Sequence, residues 1–328
     1  MSRGLQTPGR PTGNVGFDSH EVAEHESTEG PYAGGMGRSP LVEGLVFGES
    51  PRWHAGELWI SDIHGHRVVA VDPVGKSRVV CELDDRPGGL GFLPEGTPLV
   101  VSMLDRKLLR IEAGKALLQA DLSDLPGDFL LDMVVDGHGR AYVGVRSDPP
   151  DEAEAQDSTG PDVILLIEAR GKASVAAEGL VSPNGLGVTP DGGTLIVAET
   201  RAGRLVAYPI ESRGSLGPRR IWAELPGKHP DGICLDADGG VWCGSPPTSE
   251  FLRVTAGGDI THRIPVGENW GVACALGGPD GRTLYCVVTE TTLENLTRLG
   301  RDRSLDRGSQ SRSWVETLSA PVPGAGWP

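Results

Sequence analysis

One short pattern recurs six times in this chain of 328 residues. Each copy has an apolar run, a tight turn that contains glycine, and a second apolar or aromatic run. The turn glycines are separated by 40, 43, 53, 47 and 42 residues and are Gly56, Gly96, Gly139, Gly192, Gly239 and Gly281. A period of this length is typical of repeat architectures, in which residues at the same phase of different copies come close together.

The chain between these turns reads as short strands. Runs such as 140–144 and 193–199 are apolar and bounded by turn residues, which is typical of β-strands. The 48 glycines and 26 prolines suit many tight turns, and no long stretch has the 3.6-residue apolar period of a helix. Each period holds enough chain for about four strands, the size of one propeller blade. The sequence therefore predicts an all-β fold, a six-bladed β-propeller.

Three polar segments stand apart from the repeat. Residues 1–38 are rich in Gly, Ser, Pro, Glu and His, which predicts a flexible arm, disordered or extended, before a propeller over 39–328. The acidic insert at 148–160 accounts for the longest interval and is interpreted as a surface loop, with a lid over the site as the alternative. Residues 300–313 predict a loop before a last strand near 314–318.

Charge and cysteine usage restrict the partners and the compartment. A formal net charge of −15 disfavours binding to nucleic acid or to anionic lipid. No 18-residue apolar span and no apolar signal region at the N-terminus are visible. The five cysteines show no CxxC spacing and fit free thiols in a reducing cytosol. We expect a cytoplasmic protein with a small-molecule partner, and the oligomeric state stays open.

The phase of the repeat selects a candidate metal site. Glu49, Asn184 and Asp231 lie seven or eight residues before the turn glycines of three different copies. That phase is the start of the innermost strand, so the three side chains should meet at one mouth of the central channel. Their oxygens suit a hard divalent cation such as Ca²⁺, Mg²⁺ or Mn²⁺. The alternative is that Pro-Asn-Gly and Pro-Asp-Gly are ordinary turns.

These motifs resemble a known family. Gly48-Glu49-Ser50-Pro51-Arg52-Trp53, Ser182-Pro183-Asn184-Gly185 and His229-Pro230-Asp231-Gly232 are similar to motifs of the SMP-30/gluconolactonase/luciferin-regenerating-enzyme family, and the likeness covers about 41–328. The resemblance implies a six-bladed propeller, one divalent cation in the channel and hydrolysis of a lactone or related cyclic ester. It implies Glu49, Asn184 and Asp231 as metal ligands, with Asp231 also catalytic as general base. Ca²⁺ is the first candidate, and Mg²⁺, Mn²⁺ or Zn²⁺ are alternatives.

The third copy departs from the family pattern. Where members of the family commonly carry Asn-Asp, this chain has Leu131-Asp132. Where they often have Gly-Asn-Phe-Gly, it has Gly144-Val145-Arg146-Ser147. Because two amides that would face the site are replaced, the departure predicts a substrate less polar than a free sugar lactone.

The remaining substrate-binding candidates come from strand ends at the same channel mouth. Met103, Trp270 and Leu131 predict an apolar wall. Asp132 shares the phase of the ligands. Arg146 is a candidate for holding a carboxylate or an oxyanion, or else pairs with the acidic insert. His64 is a candidate for proton transfer, or else a rim histidine bonded to nearby backbone.

The sequence thus favours a divalent-metal-dependent hydrolase that opens a lactone. No Gly-x-Ser-x-Gly elbow is present, so a serine nucleophile is not expected. Two other classes stay open. One is a non-hydrolytic biosynthetic propeller that keeps the metal and catalyses condensation, cyclisation or isomerisation, as the architecture of strictosidine-synthase-like enzymes allows. The other is a binding propeller without catalysis.

Overall fold

The computed structural model describes residues 39–147, 162–300 and 302–326. In these ranges 24 strands form six four-stranded antiparallel sheets. The first strands of successive sheets contact one another in a ring, so they are the inner strands that line a channel. The predicted six-bladed β-propeller is confirmed. The proposed N-terminal arm and the acidic insert lie outside the described residues.

Blades 1 to 3 are each built from four consecutive strands. The first strand of the chain, β1 (Val42–Leu45), is not among them. Blade 1 consists of β2 (Gly48–His54), β3 (Glu57–Asp62), β4 (Arg67–Val71) and β5 (Ser77–Glu82). Blade 2 consists of β6 (Pro87–Phe92), β7 (Pro98–Ser102), β8 (Lys107–Glu112) and β9 (Lys115–Asp121). Blade 3 consists of β10 (Phe129–Val135), β11 (Ala141–Arg146), β12 (Asp162–Ile167) and β13 (Ala173–Leu180).

Blades 4 and 5 repeat this order, and blade 6 differs in its outer strand. Blade 4 consists of β14 (Pro183–Val188), β15 (Thr194–Glu199), β16 (Arg204–Pro209) and β17 (Arg220–Glu224). Blade 5 consists of β18 (Ile233–Leu235), β19 (Val241–Ser245), β20 (Glu250–Val254) and β21 (Ile260–Pro265). Blade 6 consists of β22 (Trp270–Gly277), β23 (Thr283–Glu290), β24 (Arg312–Ser319) and β1.

The pairing of β1 with β24 closes the ring. Val42 lies opposite Val315 and Leu45 opposite Ser313, so β1, which precedes blade 1 in the chain, forms the outer strand of blade 6. Strand pairing across the two ends of the chain leaves no gap between first and last blades. The sequence predicted a last strand near 314–318, and β24 confirms it, but the contribution of β1 to the same sheet was not foreseen.

The six repeat glycines lie in the turns between inner and second strands. All have positive φ, from 69° to 91°, where a residue with a Cβ is strained. The turns end the inner strands at one end of the channel. The starts of the inner strands therefore lie at the opposite end, which is where the candidate ligands were expected.

Residues 291–311, here called the blade-6 cap, connect β23 to β24. They contain the helix α1 (Leu293–Leu299) and a 3-10 helix, Arg303–Gly308. Thr292 caps α1 because its Oγ1 accepts a hydrogen bond from the N–H of Asn295 at 3.1 Å. The segment 300–313, predicted as a loop, contains the 3-10 helix and the first two residues of β24. The helix α1 directly precedes it and was not predicted, since seven residues are too few to show a helical period. Among the described residues, no helix is long and apolar enough to cross a membrane.

Candidate active site

The inner strands are bulged at the end opposite the turn glycines. In five of the six sheets the register with the second strand shifts at this level, between Glu49/Arg52, Pro87/Leu90, Leu130/Met133, Pro183/Leu186 and Gly271/Ala273. A bulge breaks the regular alternation of side chains and re-aims those within it. Glu49, Leu131, Asp132 and Asn184 lie in or next to these bulges. Side chains that would point to a face of the sheet in a regular strand can therefore point into the channel.

The chain beside Glu49 adopts a strained conformation. Ser50 has φ 48°, in the left-handed region that residues other than glycine rarely occupy. Its N–H donates to Glu49 Oε2 at 2.7 Å, and its Oγ donates to Asp132 Oδ1 at 2.8 Å. These two bonds hold the unfavourable backbone in place and fix the direction of both carboxylates.

The glycines after Asn184 and Asp231 allow neighbouring inner strands to approach closely. A Cβ on Gly185 would lie 2.4 Å from the carbonyl oxygen of Asp231, and one on Gly232 would lie 2.3 Å from the Cβ of Ala273. Gly185 instead donates its N–H to the Asp231 carbonyl at 3.2 Å. Asn184 lies within β14, so the alternative that Pro-Asn-Gly is an ordinary turn is wrong.

One cavity of about 400 Å³ brings together all nine residues singled out from the sequence: Glu49, His64, Met103, Leu131, Asp132, Arg146, Asn184, Asp231 and Trp270. They come from all six blades. Their individual roles stay predictions, but the phase of the repeat placed them in the same part of the fold.

The same cavity contains residues that sequence reasoning missed. Arg86, Arg201, Leu293, Leu296 and Phe47 line it. Leu293 and Leu296 belong to the blade-6 cap. The cap lies outside the repeat, so counting from the turn glycines gives no position for its residues. Arg201 lies two residues beyond the end of β15, so a strand-end argument extended that far would have found it.

Two buried carboxylates and a carboxamide meet in this cavity. Glu49 and Asp231 are 9 % and 8 % exposed, and the Asn184 carboxamide contacts Asp231 Oδ1. Burial, followed by the charge of Asp132, raises the pKa of Glu49 to about 8. Burial and the charges of Glu49 and Asp132 raise the pKa of Asp231 well above its ordinary value. The two carboxylates therefore repel one another in a site with little water to screen them.

This donor set fits a hard divalent cation. Its oxygens come from Glu49, Asn184 and Asp231, and a 180° rotation of the carboxamide presents its oxygen in place of its nitrogen. The charge of Arg52 lowers the pKa of Glu49, but Arg52 is ion-paired with Asp132, and burial together with the Asp132 charge outweighs it. Within the part of the chain that the structure describes, no three His, Cys, Asp or Glu side chains form a metal-binding group. The candidate site therefore counts the Asn184 amide as its third oxygen donor.

Asp132 is engaged by the protein itself. Arg52 Nη2 donates to both of its carboxylate oxygens, at 3.0 and 3.2 Å, and also to the carbonyl oxygen of Met133 at 2.7 Å. Asp132 Oδ1 also accepts from Ser50 Oγ and from the N–H of Met133. This network fixes blade 1 against blade 3 beneath the cavity. A direct contact of Asp132 with substrate stays a prediction.

The other predicted residues surround the carboxylates. Burial lowers the pKa of His64 to about 4, so the imidazole is neutral at pH 7, and its Nδ1 lies 3.4 Å from Ser309 Oγ. The Arg146 guanidinium lies 5.3 Å from the ring centroid of Phe129. Met103 packs against the apolar core shared by blades 2 and 3, and Trp270 packs with Phe47.

A family profile described as the SMP-30/Gluconolactonase/LRE-like region matches residues 47–290. The chain belongs to the SMP-30/gluconolactonase/LRE-like family. The match contains the candidate ligands and every inner strand, and it confirms the resemblance carried by the three motifs.

Two curated relatives have lactonase names. The chain is 28 % identical over 247 residues to the 6-deoxy-6-sulfogluconolactonase of Pseudomonas putida, a match that covers 73 % of this chain and 82 % of the relative. It is 26 % identical over 244 residues to the pentonolactonase XacC of Haloferax volcanii, covering 73 % and 80 %.

Solved structures share the fold. A luciferin-regenerating enzyme superposes with a TM-score of 0.70 at 16 % identity, covering 86 % of this chain and 94 % of that one. Regucalcin of Agrobacterium tumefaciens, described as a calcium-binding protein, superposes with a TM-score of 0.64 at 22 % identity, covering 87 % and 94 %. At these identities the likeness establishes the propeller fold of this family member and nothing about its chemistry.

Proposed function

We propose that this protein is a hydrolase that opens a lactone with the help of one divalent cation. The observation that carries the proposal is the meeting of Glu49, Asn184 and Asp231, from three blades, in a cavity of about 400 Å³. Both curated relatives described above have lactonase names, and this supports the same reaction class here.

The cation would be held by the oxygens of Glu49, Asn184 and Asp231. When bound, it supplies Lewis-acid chemistry, since it polarises an ester carbonyl and lowers the pKa of water. Ca²⁺ is the first candidate because the donor set is all oxygen, and a protein of the same fold is described as calcium-binding. Mg²⁺, Mn²⁺ and Zn²⁺ are the alternatives that the test includes.

The protein's own residues then position the substrate and move the proton. Asp231 Oδ1 faces Asn184, which leaves Oδ2 to accept the proton of the attacking water and to return it to the alkoxide oxygen when the ring C–O bond breaks. Arg146 at the cavity wall holds the negative charge that develops on the carbonyl oxygen. His64, neutral at pH 7, can accept a hydrogen bond from a substrate hydroxyl.

The cavity also favours a substrate less polar than a free sugar lactone. Leu131 stands where the family resemblance implies an amide, and Leu131, Met103 and Trp270 line the same cavity. An apolar wall offers no partner for sugar hydroxyls, which would lose their hydrogen bonds to water on binding.

A panel of lactones tests the function. Protein stripped with a chelator should show no turnover, and adding back Ca²⁺, Mg²⁺, Mn²⁺ or Zn²⁺ one at a time should restore it. Asp231→Ala should lower kcat/KM by about 100-fold or more, in the range that general acid–base catalysis contributes. Asp238→Ala is the matched control, because Asp238 is exposed and lies in the turn at the other end of blade 5.

Two outcomes would decide against this function. Turnover that resists the chelator would remove the cation from the proposal. Binding of lactones without turnover under any metal would favour a binding propeller, and conversion to products other than the hydroxy acid would favour a non-hydrolytic enzyme.

A further inference from the structure

The blade-6 cap places an exposed leucine at the mouth of the cavity. Leu293 is the first residue of α1, lines the cavity and is 71 % exposed. It is more exposed than Leu118 at 53 % or Leu305 at 37 %, the other exposed leucines among the described residues. A large apolar side chain that faces a binding cavity and has little protein covering it is a candidate contact for an apolar ligand.

Behind Leu293 the apolar surface continues into the protein. Leu296, one turn further along α1, packs in one cluster with Phe47, Ile63 and Trp270. All four of these side chains also line the cavity. The side of the cavity formed by blades 6 and 1 therefore carries an apolar surface, here called the cap wall, made of Phe47, Ile63, Trp270, Leu296 and the exposed Leu293. His64 is its polar neighbour, with its ring centroid 5.3 Å from that of Phe47.

Ion pairs hold the cap in this position. Arg86 donates from Nε to Asp306 Oδ2 at 2.7 Å and from Nη2 to Asp306 Oδ1 at 2.6 Å. His66 Nε2 lies 2.8 Å from Asp306 Oδ2. Arg303 Nη1 lies 3.0 Å from Asp105 Oδ1 and 3.3 Å from Asp85 Oδ1. Because these contacts join the cap to blades 1 and 2, the cap wall is in place before any ligand binds.

We infer that the cap wall is a subsite for an apolar substituent carried by the lactone, and that Leu293 limits the length of the substituent that binds there. The inference rests on the proposed lactone chemistry at Asp231. The ester ring lies at the carboxylates, and a hydrocarbon branch extends past Trp270 and Leu296 to Leu293. The substrate class is thus an alkyl- or aryl-substituted lactone, in which one end is polar and reactive and the other is apolar.

Lactams test the subsite separately from the reaction, because their ring amide is far more resistant to hydrolysis than an ester. Dissociation constants are measured by NMR titration for a δ-lactam without a substituent and for its propyl and heptyl derivatives. Each methylene that leaves water should tighten binding by about two- to fourfold. Leu293→Ser should sharply reduce the affinity ratio between the heptyl and the parent compound, and Leu293→Met should keep it.

Leu118→Ser is the matched control, since Leu118 is an exposed leucine on β9 of blade 2 and does not line the cavity. It should leave the ratio at the wild-type value. A wild-type ratio close to one overturns the inference. A high ratio that Leu293→Ser does not lower, or that Leu118→Ser lowers equally, overturns it as well.

The same series of lactones then connects the subsite to turnover. We expect kcat/KM to rise with the length of the substituent and the rise to be lost in Leu293→Ser. If no lactone is turned over but the lactam ratio behaves as described, the hydrolase function fails and the apolar subsite stands. If lactones of every length are turned over equally well, the hydrolase function stands and the subsite fails.

Discussion

Arg52 of blade 1 and Asp132 of blade 3 form a buried ion pair that spans blade 2. The Arg52 Nη2 to Asp132 Oδ1 distance is 3.0 Å, and the side chains are 7 % and 3 % exposed. Blade 2 places Gly88 and Gly89 at the matching level of the cavity, and a Cβ on Gly89 would lie 2.3 Å from the N–H nitrogen of Met133. Because Gly88 and Gly89 have no side chains, blade 2 leaves room at this level for an ion pair between two blades that are not adjacent.

This ion pair predicts a large stability effect. Asp132→Ala leaves the buried Arg52 charge without its partner, and we expect the free energy of unfolding to fall by about 3–5 kcal/mol. Arg78→Ala is the control, because the Arg78–Glu57 pair is half-exposed and should contribute about 1 kcal/mol or less. Urea denaturation of both variants measures the difference. Equal and small effects would show that the Arg52–Asp132 pair does not hold the blades together.

The raised pKa values predict how stability depends on pH. The folded protein favours protonated Glu49, with pKa about 8 against an ordinary value of 4.5, and its stabilising contribution is present at acid pH. The contribution is lost as pH rises through the folded pKa. In the presence of a chelator, Tm should therefore fall between about pH 5 and 8.

A bound divalent cation should reverse this trend. Because protons must leave Glu49 and Asp231 before their oxygens bind a cation, the rise in Tm on adding Ca²⁺ should be larger at pH 8 than at pH 6. Differential scanning calorimetry with and without Ca²⁺ measures it. Glu49→Gln should weaken the dependence of Tm on pH both with and without Ca²⁺. A rise in Tm on adding Ca²⁺ that is the same at pH 6 and pH 8 would contradict the assignment of Glu49 as a ligand.

Leu131 should control the preference between apolar and polar substrates. A contact of about 60 Å² with an apolar group is worth about 1.5 kcal/mol, or about tenfold in specificity. Leu131→Asn should lower kcat/KM for an alkyl-substituted lactone by about that factor and raise it for gluconolactone. Leu118→Asn, on the outer strand of blade 2, should change neither. Unchanged selectivity in Leu131→Asn would show that this position does not discriminate.

Asp306 should govern the mobility of the blade-6 cap. Asp306→Asn weakens two charge-assisted bonds from Arg86 and one contact with His66, so α1 should open more often. Hydrogen–deuterium exchange should rise several-fold at 291–311 and stay unchanged in blade 3. Asp302→Asn is the control, since exposed Asp302 accepts bonds only within the cap, from Ser304. Equal exchange in the two variants would mean that the Arg86 pair does not anchor the cap.

The repeat in the sequence was enough to predict the blades and to bring the candidate site residues to one cavity. The six glycines mark turns with positive φ, and the interval between them sets the number of strands per blade. Because a propeller places equal phases at equal depth in the channel, counting back from the turns found Glu49, Asn184 and Asp231 together with the cavity that contains them. This reasoning needs only local signals and the rotational order of the fold.

Contacts between distant segments were decided by the tertiary structure alone. The pairing of Val42 with Val315 closes the ring, yet neither strand alone indicates its partner. Arg52 reaches Asp132, and Asp306 reaches Arg86, because folding brings segments 80 and 220 residues apart into contact. The position of α1 over the cavity has the same origin. Local propensity carries no information about such partners, since their free energy depends on burial and geometry that exist only in the folded ring.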